Sequence, residues 1–191
     1  MRYRRTYPGF TLGAVAVLIA VNVIFYLATV VDSDLIRQLG LQPASLSERP
    51  WTIVTNLFIH GGLWHLLANM VTFYFFGSYV AALVGEGRLL LVYFLGGIMG
   101  NAFYILLGDP LVTAIGASGA VFACGGALTA MRPKLRVMVF PIPAPLPLWA
   151  AVLGGFVVIS FFPNVAWEAH LGGLAFGLAA GYFFISGRRR S

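Results

Sequence analysis

Residues 116–131 read GASGAVFACGGALTAM, a stretch of small and apolar residues that predicts a helix within a membrane. It contains no charged residue, and the uncharged run around it extends from Pro110 to Met131. Such a run is long enough for a helix in a lipid bilayer, which needs about 20 apolar residues. Small residues recur at a four-residue interval, at Gly116, Ala120 and Cys124, so one face of the helix can approach a neighbouring backbone closely.

The composition of the whole chain agrees with a location in the membrane. Of 191 residues, 60% are hydrophobic and only 9% are charged, whereas soluble domains carry about 25% charged residues. No soluble fold of this size can hide so much apolar surface, so we expect one membrane domain over residues 1–191 and no substantial soluble domain. The single cysteine, Cys124, cannot form a disulfide within the chain.

Charged residues divide the chain into six long uncharged runs, and each run predicts one membrane span. The predicted spans cover about residues 10–31, 60–84, 89–107, 116–131, 146–162 and 168–186. The predicted fold class is therefore all-α, a polytopic bundle of six transmembrane helices. The first run also resembles a signal peptide, but its apolar part is too long and no small-x-small cleavage site follows, which favours a retained span.

The basic residues predict the orientation of the chain. If the N-terminus is cytoplasmic, ten of the twelve Lys and Arg residues fall in the inner segments 1–9, 85–88, 132–136 and 187–191. Such an excess of Lys and Arg on the cytoplasmic side sets membrane topology. We therefore expect both termini in the cytoplasm. Anionic lipid headgroups then explain the net charge of +6, and no nucleic-acid partner is expected because the cations are dispersed.

Polar residues concentrate at the outer ends of the second, fourth and sixth predicted spans. His65 and Asn69 are four residues apart and share a helix face. Ser118 begins the fourth span and His170 begins the sixth. Glycines at residues 173, 177 and 181 give the sixth span a small-residue face like that of the fourth. Close packing of these two spans would bring Ser118 and His170 within reach.

Three kinds of site can use polar residues in the membrane. A metal site would use His60, His65 and His170, but it lacks a conventional fourth ligand unless Glu168 or water serves. A transport path usually places polar groups near the bilayer midplane, whereas these cluster at one side. The third possibility is serine chemistry, which we favour, with no metal and no cofactor.

Serine chemistry requires the residue types that are present. A serine hydroxyl is a weak nucleophile until a neighbouring base takes its proton, and His170 can be that base for Ser118. The tetrahedral intermediate carries a negative oxygen, for which His65, Asn69 and the Ser118 backbone N–H are candidate donors. Glu168 lies two residues before His170 and therefore on another helix face, so we expect a Ser–His dyad rather than a triad.

Together these residues resemble the rhomboid family of intramembrane serine proteases. The resemblance depends on the His-x4-His-x3-Asn pattern of residues 60–69, the Gly-x-Ser-Gly pattern of residues 116–119, and Ala169-His170-Leu-Gly-Gly173. It implies that Ser118 is the nucleophile, that His170 is the general base and then the acid, and that the oxyanion hole is lined by His65 and Asn69. It also implies supporting positions at His60, Gly116, Gly119, Phe122, Gly173 and Gly177.

The resemblance further implies that the substrates are transmembrane helices of other proteins, cut at locally unwound sites reached from the outer face. The short chain leads us to expect a prokaryotic plasma membrane. Two residues depart from the family pattern: Thr52 follows Trp51 where arginine is frequent, and Phe122 stands where tyrosine is frequent. The alternatives are a silent relative that binds transmembrane helices and a small-solute channel. The sequence leaves the physiological substrate, the oligomeric state and the identity of the gating helix open.

Overall fold

The computed structural model describes residues 13–139 and 142–188. Its helices are α1 (Ala14–Val31), α2 (Asp34–Leu39), α3 (Thr52–Thr55), α4 (Leu63–Val84), α5 (Glu86–Leu107), α6 (Ser118–Met131), α7 (Leu148–Ser160) and α8 (Trp167–Arg188). Two short 3₁₀ turns cover Pro43–Ser45 and Asn56–Phe58, and a two-residue strand β1 (Arg136–Val137) pairs antiparallel with β2 (Leu146–Pro147). The prediction of an all-α fold is confirmed.

Four helices in the described part of the chain, α1, α4, α5 and α8, are long and apolar enough to cross a membrane. The other two apolar helices are shorter, with 14 residues in α6 and 13 in α7. A 14-residue helix is about 21 Å long, less than the roughly 30 Å of a bilayer core. The chain is therefore a multi-pass membrane protein, and the number of six spans stays a prediction. Residues 10–12 of the first predicted span, and the terminal segments 1–9 and 189–191, lie outside the described residues.

Helix α6 is the centre of the bundle. Nearly all of its side chains are buried, and it packs most extensively against α8, then against α5 and α4. A helix of small and apolar residues on every side fits such a position, because no face of it needs water or lipid. The residue that begins α6 is consequently surrounded by the ends of other helices.

Glycines allow α6 and α8 to pack with their backbones almost touching. A methyl group added to any of three glycines of α8 would overlap with a carbonyl oxygen of α6. The facing pairs are Gly173 with Gly119, Gly177 with Ala123, and Gly181 with Ala127. We call this contact the glycine seam. Such small-residue contacts supply close van der Waals packing where lipid provides no hydrophobic driving force.

The α1–α4 loop (residues 32–62) is ordered by its own hydrogen bonds. The buried Thr52 donates its hydroxyl to the carbonyl of Arg49 at 2.7 Å, and the Arg49 guanidinium donates to the carbonyl of Arg37. Trp51 donates its indole N–H to the carbonyl of Gln38 at 3.1 Å. Thr52 stands where the family pattern often has arginine. In this chain the Arg49 guanidinium and the Trp51 indole both bond to the backbone of α2.

Helix α1 lies at the edge of the bundle and is anchored by one buried polar contact. The Asn22 amide donates to the Leu18 carbonyl at 2.8 Å and to the Tyr93 hydroxyl of α5 at 3.3 Å. Both Asn22 and Tyr93 are fully buried. A polar group in the membrane is costly unless it is paired, so this contact fixes how α1 sits against α5.

Helix α7 is lightly attached to the bundle. It contributes only Leu148 and Val152 to the buried core, and a methyl group added to Gly154 or Gly155 would meet nothing within 4 Å. The Ser160 hydroxyl donates to the Phe156 carbonyl of its own helix at 2.7 Å, not to another element. Little therefore holds α7 to its neighbours.

Candidate active site

The structure brings Ser118 and His170 together across the end of the glycine seam. Ser118 is the first residue of α6, and His170 lies in the first turn of α8. The Ser118 Oγ and the His170 Nε2 are 2.8 Å apart, which is a hydrogen bond. The contact depends on small residues, because the Ala169 carbonyl beside His170 faces Gly100 of α5 and Gly119 of α6 without room for larger side chains.

The imidazole of His170 is enclosed by aromatic rings rather than by carboxylates. The Phe122 ring lies 4.7 Å from it between centroids, with the planes 32° apart, and Phe156 of α7 meets Phe122 edge-on at 6.0 Å. Within residues 13–139 and 142–188, no group accepts a hydrogen bond from the buried Nδ1 of His170. Glu168, the nearest acid in sequence, is thus not a third member behind the ring.

His65 also lies close to the loop that carries the serine. Its Nε2 lies 2.8 Å from the point where a Cβ on Gly116 would stand, and the Ser118 Oγ lies 3.8 Å from that same point. The Gly61 N–H donates to the His65 Nδ1 at 3.4 Å. Since Nδ1 accepts, the neutral ring carries its proton on Nε2, and that N–H is available beside Ser118.

Two further predicted residues lie behind His65. The buried Asn69 donates its amide to the His65 carbonyl at 2.9 Å, one turn earlier on α4. The buried His60 places its ring edge-on to His65 with centroids 5.0 Å apart, and its Nδ1 lies 3.4 Å from the Phe58 carbonyl. In the described chain, no group of three His, Cys, Asp or Glu residues is arranged to hold a metal ion.

Three helix N-termini meet at the serine. Ser118 is at the start of α6, His65 is the third residue of α4, and His170 is the fourth of α8. No carbonyl of the described segments accepts the backbone N–H groups of Ser118 and Gly119, because α6 begins there. Each N-terminus carries about half a positive charge from the helix dipole. The site therefore favours a negative charge near the Ser118 hydroxyl.

The loop that delivers Ser118 is attached to two residues that sequence reasoning missed. Gly116 has φ +120°, and its N–H donates to the Asn56 carbonyl at 2.9 Å. The Asn56 side chain pairs with that of Asn101 on α5. Asn101 stands in the otherwise apolar run from residue 89 to residue 108, so the same signal that singled out Asn69 also pointed to it.

Taken together, the fold and these contacts define a multi-pass helical membrane protein with a serine and an imidazole paired between two central helices. A family model described as Rhomboid domain matches residues 47–187. The match covers well over half of the chain and includes every residue of the site described above. The chain belongs to the rhomboid family.

Individual relatives agree with this assignment. Rhomboid protein 1, mitochondrial, of Saccharomyces cerevisiae is 28% identical over 142 residues, which cover 69% of this chain and 41% of the yeast protein. Rhomboid protease GluP of Bacillus subtilis is 32% identical over 133 residues, or 68% of this chain and 25% of GluP. Inactive RHOMBOID-like protein 8 of Arabidopsis thaliana is 31% identical over 138 residues, or 70% of this chain and 38% of the plant protein.

The chain spans less than half the length of these three relatives. One of them is named a protease and another is named inactive. Membership of the family therefore leaves two functions to weigh, a protease and an inactive relative.

Proposed function

We propose that this protein is an intramembrane serine endopeptidase that hydrolyses peptide bonds in or near the transmembrane helices of other proteins. The nucleophile is Ser118 and the general base is His170. The observation that carries the proposal is the 2.8 Å distance between the Ser118 Oγ and the His170 Nε2. This is the separation that a base needs to take the hydroxyl proton. The whole of residues 1–191 acts as one membrane domain.

The reaction follows from this pair. His170 takes the proton of Ser118 at Nε2 while Oγ attacks the scissile carbonyl carbon. The imidazolium then gives that proton to the leaving amine, and an acyl group remains on Ser118. A water molecule, activated by the same nitrogen, hydrolyses the acyl-enzyme and restores the hydroxyl. No carboxylate of the described residues stabilises the imidazolium, but the face of Phe122 carries partial negative charge and lies against it.

The developing oxyanion is stabilised by donors that exist before substrate arrives. The His65 Nε2–H and the free backbone N–H groups at the start of α6 are directed toward the region beside Ser118. Asn69 donates to the His65 carbonyl in this state. Its second amide hydrogen is the donor that we assign to the oxyanion. Removing one such donor typically costs about 10²–10³-fold in rate.

The substrate must present an extended peptide bond, because a helix hides its carbonyls in internal hydrogen bonds. We therefore assign to this site transmembrane segments that unwind easily. We place both termini in the cytoplasm and the opening of the site at the outer face of the membrane, on the distribution of Lys and Arg. Helix α7 is our candidate gate, since it is lightly attached to the bundle.

The alternative is a catalytically silent protein that binds transmembrane helices. It is motivated by the similarity to a relative named inactive. The presence of both Ser118 and His170 in hydrogen-bonding contact favours the protease.

A fluorophosphonate probe tests the proposal directly, because it reacts only with an activated serine. We expect covalent labelling of the purified protein in detergent or lipid, and no labelling of Ser118→Ala or His170→Ala. Ser160→Ala is the matched control, since the Ser160 hydroxyl is bonded to a backbone carbonyl and has no imidazole beside it. A folded wild-type protein that is neither labelled nor able to cleave any single-pass membrane protein would overturn the protease and support the silent alternative.

A further inference from the structure

The backbone just before Ser118 adopts a conformation that needs external support. Gly116 has φ +120°, a region that residues with a side chain rarely adopt. Only one residue, Ala117, separates Gly116 from the serine. The direction in which α6 begins, and with it the position of the Ser118 hydroxyl, therefore depends on what holds the peptide of Gly116.

The peptide is held by a hydrogen bond to the α1–α4 loop. The Gly116 N–H donates to the Asn56 carbonyl at 2.9 Å. Two residues earlier, Ala114 forms an antiparallel bridge with Leu41, with N–H···O distances of 2.8 and 3.0 Å. Residues 114–116 are thus attached to this loop at two points, of which the Asn56 carbonyl is nearer to the serine in sequence.

The Asn56 carbonyl is in turn fixed by a pair of buried amides. The Asn56 Nδ2 donates to the Asn101 Oδ1 at 3.0 Å, and the Asn101 Nδ2 donates to the Asn56 Oδ1 at 2.8 Å. The Asn101 Nδ2 also donates to the Ile53 carbonyl at 2.7 Å. Both asparagines are 2% exposed. Because the two amides bond to each other in both directions, Asn56 can neither rotate nor shift along α5 without breaking bonds.

We infer that the Asn56–Asn101 pair is a positioning element for the nucleophile. Through the Asn56 carbonyl and the Gly116 N–H, it aligns Ser118 with the His170 Nε2 and with the His65 Nε2–H. Neither asparagine touches the reacting atoms, so both are positioning residues and not catalytic residues. This inference rests on the proposed function, because it assigns the pair to the reaction of Ser118.

A positioning role and a purely structural role have different consequences. Loss of a structural contact lowers the free energy of unfolding but leaves the folded fraction fully reactive. Loss of a positioning contact leaves substrate binding intact and lowers kcat, since small misplacement of reacting groups can cost about 10²-fold. The chain offers a matched control in Asn22 on α1, a buried amide that also bonds across to α5 but has no hydrogen bond to the segment that leads to Ser118.

The experiment compares Asn101→Leu with Asn22→Leu and wild type. For each protein we would measure the thermal transition, the second-order rate constant of fluorophosphonate labelling, and kcat and KM for a single-pass membrane substrate, at a temperature where all are folded. We expect Asn101→Leu to lose at least about tenfold in labelling rate and in kcat. Its KM should stay within about threefold of wild type.

Asn22→Leu should lower the thermal transition to a similar extent and keep the labelling rate within about twofold. If Asn101→Leu does not fold, Asn101→Ser replaces it, because serine is polar and fits within the volume of asparagine but lacks the amide that bonds Asn56 in both directions. Equal labelling rates for wild type and the Asn101 variant, or equal losses in the Asn101 and Asn22 variants, would overturn the inference. A wild-type protein that the probe does not label would instead overturn the proposed function, and the positioning role with it.

Discussion

At the scale of single residues, Gly116 disfavours any side chain for two independent reasons. Its φ of +120° is strained for any residue with a Cβ, and that Cβ would stand 2.8 Å from the His65 Nε2. The strained φ would move the backbone that leads to Ser118. The close approach would displace the His65 ring, which is a donor to the oxyanion. One hydrogen-to-methyl change therefore disturbs both.

We predict that Gly116→Ala destabilises the protein by about 1–3 kcal/mol and abolishes probe labelling in the fraction that stays folded. The reason is the strained φ together with displacement of the His65 ring. The measurement is labelling of protein recovered as a single peak in size exclusion. Gly62→Ala is a suitable control, because a methyl group there meets nothing within 4 Å and its φ of 168° is extended. Wild-type labelling of Gly116→Ala would contradict the assigned geometry.

The role of His65 leads to a second prediction. Removing the ring deletes one oxyanion donor, so His65→Ala should lower kcat by about 10²–10³-fold while Ser118 and His170 remain paired. Trp64→Ala, a change at the exposed neighbour, should leave kcat within a few fold of wild type. The assignment fails if His65→Ala retains more than about a third of the wild-type kcat.

The sequence alone identifies some residues of the site and misses others. Ser118, His65, Asn69 and His170 are prominent because a polar side chain in an apolar run has a high cost and needs an explanation. Asn101 satisfies the same criterion, but its partner lies 45 residues away in an irregular loop. No periodic pattern reports such a pairing, because it depends on how the α1–α4 loop folds back over α5.

At the scale of elements, the glycine seam determines the distance between nucleophile and base. The seam places α8 glycines directly on α6 carbonyls over three successive turns. Any side chain added there must push the two helices apart, because the opposing atoms belong to a backbone that cannot rotate away. Separation by even a fraction of an ångström lengthens the 2.8 Å contact between the Ser118 Oγ and the His170 Nε2.

We predict that Gly177→Ala lowers the free energy of unfolding by about 1–3 kcal/mol and reduces kcat. The matched change Gly155→Ala on α7 should instead raise the free energy of unfolding. Its methyl group enters open space, and alanine is the better helix former by about 0.5–1 kcal/mol. Reversible unfolding in mixed micelles gives both values. Similar stabilities for the two variants would show that α6 and α8 are not in close contact.

The apolar runs and the four-residue glycine rhythm were sufficient to predict the six apolar helices and the contact of α6 with α8. They could not predict the short helices α2 and α3, because those lie in a loop whose order comes from contacts such as Trp51 to Gln38. They also overestimated α7, predicted over residues 146–162. Pro147 is the N-cap of this helix, and its regular residues end at Ser160, after which the Phe161 and Phe162 N–H groups bond three residues back, to Val158 and Ile159.

At the scale of the whole molecule, the cysteine content of the chain makes its orientation in the membrane measurable. The only cysteine of the chain, Cys124, is fully buried in α6. A thiol reagent should therefore not react with the wild-type protein in its native state. Single cysteines introduced at exposed positions can then report on which side of the membrane a loop lies.

We predict that Leu111→Cys reacts in intact cells with a maleimide that cannot cross the membrane. Lys134→Cys should react only after the cells are permeabilised, since its segment carries the basic residues expected inside. Both positions are exposed in the structure. The reverse pattern would show that the orientation deduced from the charges is inverted.

The glycine seam brings the Ser118 hydroxyl and the His170 imidazole together although they belong to different parts of the chain. The hydroxyl belongs to α6 and the imidazole to α8, and the segment between them, which includes α7, contributes little to the core. If the polypeptide were cut between α6 and α7, each fragment would be inert alone. Co-expressed, the two halves should reassemble through the seam, and recovered hydrolysis would then measure how tightly two membrane fragments associate.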